Sequence, residues 1–105
     1  MDIKIYQKPV ITKFVVIDGE EFKLSELYSC LDQIDGTDEG DKYGTYSLRY
    51  YEIDYPEVMD KLVRMGLVRN YTGSRMANLY CIKDRKGIEN LFDTLYKLNA
   101  EVTTG

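Results

Sequence analysis

Residues 55–87, YPEVMDKLVRMGLVRNYTGSRMANLYCIKDRKG, constrain the fold more than any other part of the chain. Val58, Leu62 and Met65 recur at helical spacing with Met59 alongside, and Glu57, Lys61 and Arg64 take the opposite side. Pro56 presets a first helical turn and gives up an N–H that would have no intrahelical partner. Gly66 supplies a residue able to turn left-handed and end the helix. The spacing therefore predicts a helix over 56–65, capped by Asp54 or Tyr55, with Glu57 and Lys61 placed to pair. Two apolar runs, 67–71 and 77–83, flank the polar turn Thr72-Gly73-Ser74-Arg75 and predict a two-stranded ribbon. On the second strand Leu79 and Cys81, with Ala77 a further candidate, alternate with Tyr80 and Ile82.

Charge singles out the same segment. The 105 residues hold 14 Lys and Arg against 18 Asp and Glu, a formal net charge of −4. Yet Lys61, Arg64, Arg69, Arg75, Lys83, Arg85 and Lys86, half of the basic residues, fall between positions 61 and 86, where Asp84 is the one acid. The net charge counts against nucleic-acid binding by the whole surface and leaves one face able to meet an anionic partner.

The rest of the composition narrows the chemistry. The length suits a single domain over 1–105, and the apolar and charged fractions, 44% and 30%, fit a soluble globular protein. No apolar run suits a membrane helix or a secretory leader, so a cytoplasmic protein is expected. The chain has no His, which removes the commonest general base and a common metal ligand. With no triad, metal cluster or phosphate-cradling glycine loop, neither an enzyme nor a cofactor is expected. Cys30 and Cys81 sit inside apolar patterns and read as buried, reduced thiols.

Upstream, Ile3 and Ile5 alternate with polar neighbours, and Pro9 interrupts. Asp18-Gly19 between two strand-like runs predicts a hairpin of 12–17 with 20–24. Ser25 is the expected cap of a helix whose buried stripe is Leu24, Leu27, Leu31 and Ile34, with Cys30 on its border. Residues 32–41, DQIDGTDEGD, lack the spacing of a calcium loop and read as a solvated acidic loop. Tyr43, Tyr46, Tyr50, Tyr51 and Tyr55 follow, with Ser47 placed to cap a short helix through Glu52. Ile88, Leu91, Phe92, Leu95 and Leu98 predict a last helix over 88–98, and 99–105 reads as a frayed tail.

Taken together, the helix ending Met65-Gly66-Leu67-Val68, Arg75 in the turn, the strand Leu79-Tyr80-Cys81-Ile82 and Lys86-Gly87 before a terminal helix resemble the winged helix-turn-helix superfamily, in the style of MarR and PadR regulators. The resemblance covers the C-terminal half. It implies an α+β fold, a winged helix-turn-helix of helices and wing (25–98) with a C-terminal helix, to which the N-terminal β-hairpin (1–24) is an addition or a variant. It also implies a DNA-binding transcriptional regulator contacting double-stranded DNA through Tyr55, Lys61, Arg64, Arg69, Arg75, Lys83, Arg85 and Lys86. A homodimer would pair through Leu91, Leu95 and Leu98. The alternative is an acidic winged-helix interaction module, such as a viral or mobile-element inhibitor. It would bind a host protein through the acidic loop 32–41 and the tyrosines around Tyr50 and Tyr51.

Overall fold

Two successive left-handed residues set the first sheet. Asp18 and Gly19 have φ of 49° and 86°, the geometry that lets a two-residue turn follow the twist of its strands. In the computed structural model, which describes residues 2–7, 12–38 and 46–104, they join β2 (Lys13–Ile17) to β3 (Glu20–Lys23). β1 (Ile3–Gln7) completes an antiparallel sheet ordered β1-β2-β3, with Ile5 opposite Val15 and Val15 opposite Phe22.

β3 runs directly into α1 (Leu24–Asp35), whose buried stripe is Leu24, Leu27, Cys30, Leu31 and Ile34. Ser25 is not the cap. Lys23 already has the extended backbone that a cap needs, so the helix begins at Leu24, two residues before a Ser25 cap would start it, and no side chain caps it. The helix also continues through Asp32 and Asp35, shortening the expected acidic loop; its later residues 39–41 lie outside the described residues, as does Tyr43. Nor does Ser47 cap a helix. Its hydroxyl meets the Tyr71 hydroxyl at 2.6 Å, and the next residues form β4 (Leu48–Arg49) followed by a single 3₁₀ turn, Tyr50–Glu52. Pairing with a strand distant in sequence, which local propensity cannot foresee, decides this stretch.

α2 (Pro56–Arg64) has Tyr55 as its N-cap and buries Val58, Met59 and Leu62. It ends as Gly66 dictates. At φ 80° that residue lets Gly66 N–H reach the Val63 carbonyl and Leu67 N–H reach the Leu62 carbonyl, at 3.0 and 3.1 Å. The chain then enters β5 (Val68–Thr72) and returns as β6 (Asn78–Ile82). The second antiparallel sheet is ordered β4-β6-β5, so β6 is its centre.

α3 (Arg85–Thr104) starts earlier and ends later than the apolar repeat indicates. Asp84 caps it: its carboxylate accepts the Gly87 N–H at 2.9 Å and its carbonyl the Ile88 N–H. Gly87 is needed there, because a Cβ would stand 2.5 Å from the Asp84 carboxylate and 2.8 Å from Leu67. The expected frayed tail is helical as far as Thr104.

The described residues form an α+β fold of three α-helices with two small antiparallel sheets, and their apolar core runs from Val15 and Ile17 through α1 and α2 to Tyr80, Ile82 and α3. Leu91 and Leu95 are fully buried in that core. They hold α3 to its own chain and present no surface for pairing two copies; Leu98 is half-buried. No described helix is long and apolar enough to cross a membrane.

Thr37 is the buried polar residue among this apolar set. Its hydroxyl donates to the Ile34 carbonyl at 2.6 Å and accepts the Ile82 N–H at 2.7 Å, while its carbonyl accepts from Arg85 at 3.0 Å. One residue thus joins the end of α1 to the central strand of the second sheet and to the start of α3. Thr37→Val keeps the shape and orphans a buried N–H, so it is expected to lower the unfolding free energy in urea by about 1–3 kcal/mol. Thr37→Ser, which keeps the hydroxyl, is expected to lose less than half of that.

Candidate nucleic-acid interface

The pairing of the second sheet sorts its residues by face. Val68 opposite Ile82, and Asn70 and Leu48 opposite Tyr80, share the core side. Arg69 opposite Cys81, and Tyr71 and Arg49 opposite Leu79, share the other. Leu79 and Cys81 are buried there, apart from the main core, and a row of Arg49, Leu79 and Tyr71 crosses the three strands. Arg69 is exposed, with its guanidinium 4.8 Å from the Tyr71 ring centre. Stacking on the ring orients the planar group and leaves its edge N–H groups directed at solvent.

The β5–β6 turn adds a third arginine. Gly73 N–H closes it on the Ala77 carbonyl at 2.8 Å. A Cβ on Gly73 would sit 2.3 Å from a Leu79 methyl, so only glycine allows this closure without displacing Leu79. Arg75 and Met76 then both adopt left-handed backbone, φ 62° and 59°, and both are exposed. Such geometry costs non-glycine residues of order 1 kcal/mol or more each, and it fixes where the Arg75 side chain leaves the turn. Arg75, Ala77 and Asn78 of the ribbon face Arg49, Tyr50 and Tyr51 across an open pocket of about 440 Å³. Arg49 donates to the Tyr51 hydroxyl at 3.0 Å, which favours the charged guanidinium.

The cations expected on α2 are disposed differently. Lys61 donates to the Glu21 carbonyl at 2.7 Å, lies 3.9 Å from the Glu20 carboxylate and sits over the Phe22 ring. Arg64 reaches the same carboxylate at 3.8 Å. Lys61 therefore binds the first sheet instead of pairing with Glu57. The exposed side of α2 keeps Glu57 and Asp60, and Asp60 accepts from the Tyr80 hydroxyl at 3.0 Å. Arg85 pairs through Nη1 with Asp35 at 3.3 Å and donates from Nη2 to the Thr37 carbonyl. Tyr55 acts through its backbone: its carbonyl receives the Met59 N–H and the Cys30 thiol. Lys83 and Lys86 are exposed at the end of the ribbon and on α3.

The basic segment is thus split. Among the described residues, carboxylates pair with Lys61, Arg64 and Arg85, and none pairs with Arg49, Arg69, Arg75 or Lys83. Arg49 lies outside the basic run of the sequence and joins this face because β4 pairs with β6, Leu48 opposite Tyr80 and Arg49 opposite Leu79. Tyr46, Tyr50 and Tyr51 are exposed at 61%, 48% and 75%, so these rings cover little of the core. Tyr50 leans on the Tyr80 ring, 6.4 Å between centres. Comparison with protein-family models, curated proteins and solved structures yields no match for the chain.

Burial raises the Tyr80 hydroxyl above its ordinary pKa, and the Asp60 carboxylate adds to this. Cys30, which donates to the Tyr55 carbonyl at 3.5 Å, is pushed by burial from 9.0 to about 11. The unfolded chain then loses this proton first as pH rises, so folding stability falls between those two values. Measured unfolding free energy is expected to decline over that window, and Cys30→Ala to lack this part of the decline. At neutral pH the native thiol is expected to resist iodoacetamide.

Proposed function

We propose that the chain is a small winged-helix protein that binds double-stranded DNA, as a regulator would, through the outer face of its second sheet and the β5–β6 turn. The chain order supports the winged-helix part: α1, a short strand, α2 closed by a left-handed glycine, a ribbon, then α3, with the short strand beside the ribbon's second strand. Among the described residues between α1 and α2, the second helix of a helix-turn-helix corresponds to no more than the 3₁₀ turn Tyr50–Glu52.

The observation that carries the binding surface is the register that sets Arg49 and Arg69 on one sheet face, with Arg75 at its end. Arg69, Arg49 and Lys83 suit phosphates, contacts that fix register on a duplex. Arg75, held outward by its turn, suits a narrow minor groove, where negative potential is concentrated. α2 is a poor reader of the major groove, since Glu57 and Asp60 would face phosphates and Glu20 neutralises its bases. This departs from the contacts that the resemblance implies for Lys61 and Arg64.

A protein-binding reading has one observation in its favour. Glu26, Asp54 and Glu57 line, with Tyr50 and Tyr55, a second pocket of about 340 Å³, suited to a basic side chain of a partner.

A salt titration on mixed-sequence duplex DNA tests the first reading. With three or four phosphates neutralised, log K is expected to fall with log salt at a slope of about −3. Arg69→Ala with Arg75→Ala is expected to bring the slope to about −1, and Lys61→Ala with Arg64→Ala to change affinity less than about twofold. Negligible duplex binding at low salt, or loss on the α2 variant alone, would contradict it.

A further inference from the structure

We propose that the pocket between the 3₁₀ turn and the ribbon holds one unstacked nucleotide, its base against Tyr51 and its phosphate between Arg49 and Arg75. The size is right, since at about 440 Å³ the pocket falls in the range of small-ligand sites. Its chemistry is that of a nucleotide: two aromatic rings, two guanidinium groups and the side-chain amide of Asn78. Tyr51, 75% exposed, is a large aromatic surface that folding leaves in water. It is held in place nonetheless, because its hydroxyl receives Arg49 at 3.0 Å, which ties the ring to a cation. Tyr50 makes a fixed wall, leaning on the buried Tyr80.

The opposite rim is set by the backbone. Arg75 leaves a turn in which two consecutive non-glycine residues are left-handed, so the point at which its side chain leaves the backbone does not await the ligand. Both rims are cationic, and no carboxylate is among the described residues that line the pocket. Base stacking on an exposed tyrosine beside arginines is the chemistry by which single strands are held without a sequence code. A base still stacked within a duplex cannot enter such a site, so the nucleotide comes from a strand end, a flipped position or free solution.

The inference deepens the DNA-binding reading, and the probes separate the two. Fluorescence anisotropy compares four: a blunt duplex, the same duplex with a short oligothymidine tail, the same tail built of abasic residues, and thymidine monophosphate as competitor. The abasic tail keeps the added phosphates and removes the bases. The thymidine tail is expected to bind about tenfold tighter than the abasic one. Tyr51→Ala is expected to abolish that difference while the blunt duplex stays bound. Tyr51→Phe, which keeps the ring and loses the Arg49 hydrogen bond, is expected to retain most of it. Arg75→Ala weakens every probe. Displacement of the tail by thymidine monophosphate at comparable concentration assigns the pocket to free nucleotides; no displacement assigns it to strands. Equal binding of both tails, with the blunt duplex still bound, overturns the pocket and leaves duplex binding standing. Binding of the thymidine tail with no blunt-duplex binding does the reverse, and no binding of any probe overturns both.

Discussion

The Thr37 hydroxyl is the contact on which the second sheet depends. β4 and β5 pair with β6 and not with each other, so the placement of β6 places both. The end of β6 is held against the core by the Ile82 N–H, which finds its acceptor in Thr37 and not in another strand. The same residue closes α1 through the Ile34 carbonyl and receives Arg85 at the start of α3. A buried N–H without a partner costs as much as many apolar contacts supply, so this small polar cluster fixes the sheet on the helices. Everything exposed on the outer face, Arg49 and Arg69 included, inherits its position from that arrangement.

Charge is divided by the same packing. The β2–β3 turn brings Glu20 to the flank of α2, where it meets Lys61 and Arg64 at distances near the limit of an ion pair. Exposed pairs of this kind add little to stability, on the order of 0–1 kcal/mol. Their consequence is for the field: α2 loses its net positive side, and the second sheet keeps its own. A chain of net charge −4 can therefore still offer one cationic surface to an anionic ligand. The outer face of the sheet and the Tyr51 pocket share Arg49, so phosphate contact and base contact would be made from one edge of the fold.

Features set by a few neighbouring residues were legible in the sequence. Asp18-Gly19, Gly66, Pro56 and the stripes of α1, α2 and α3 each carry their own local geometry, and the ribbon follows from two apolar runs around a polar turn. What was not legible depends on residues far apart in the chain. Leu48 and Arg49 become a strand because β6 lies beside them, and Ser47 turns to Tyr71. Lys61 and Arg85 look like free cations until the fold brings up Glu20 and Asp35. Thr37 was hidden in an acidic stretch whose composition suggests solvent. Asp84, three residues before Gly87, was a readable helix cap, and it moves the start of α3 ahead of the apolar repeat.

The claim that binding resides on the second sheet is tested most directly by amide chemical shifts of the isotope-labelled protein during titration with duplex DNA. The account predicts movement at 49–51 and 69–79, with the amides of α2 from 57 to 64 unmoved. Shifts concentrated on α2, with the ribbon and β4 silent, would contradict it.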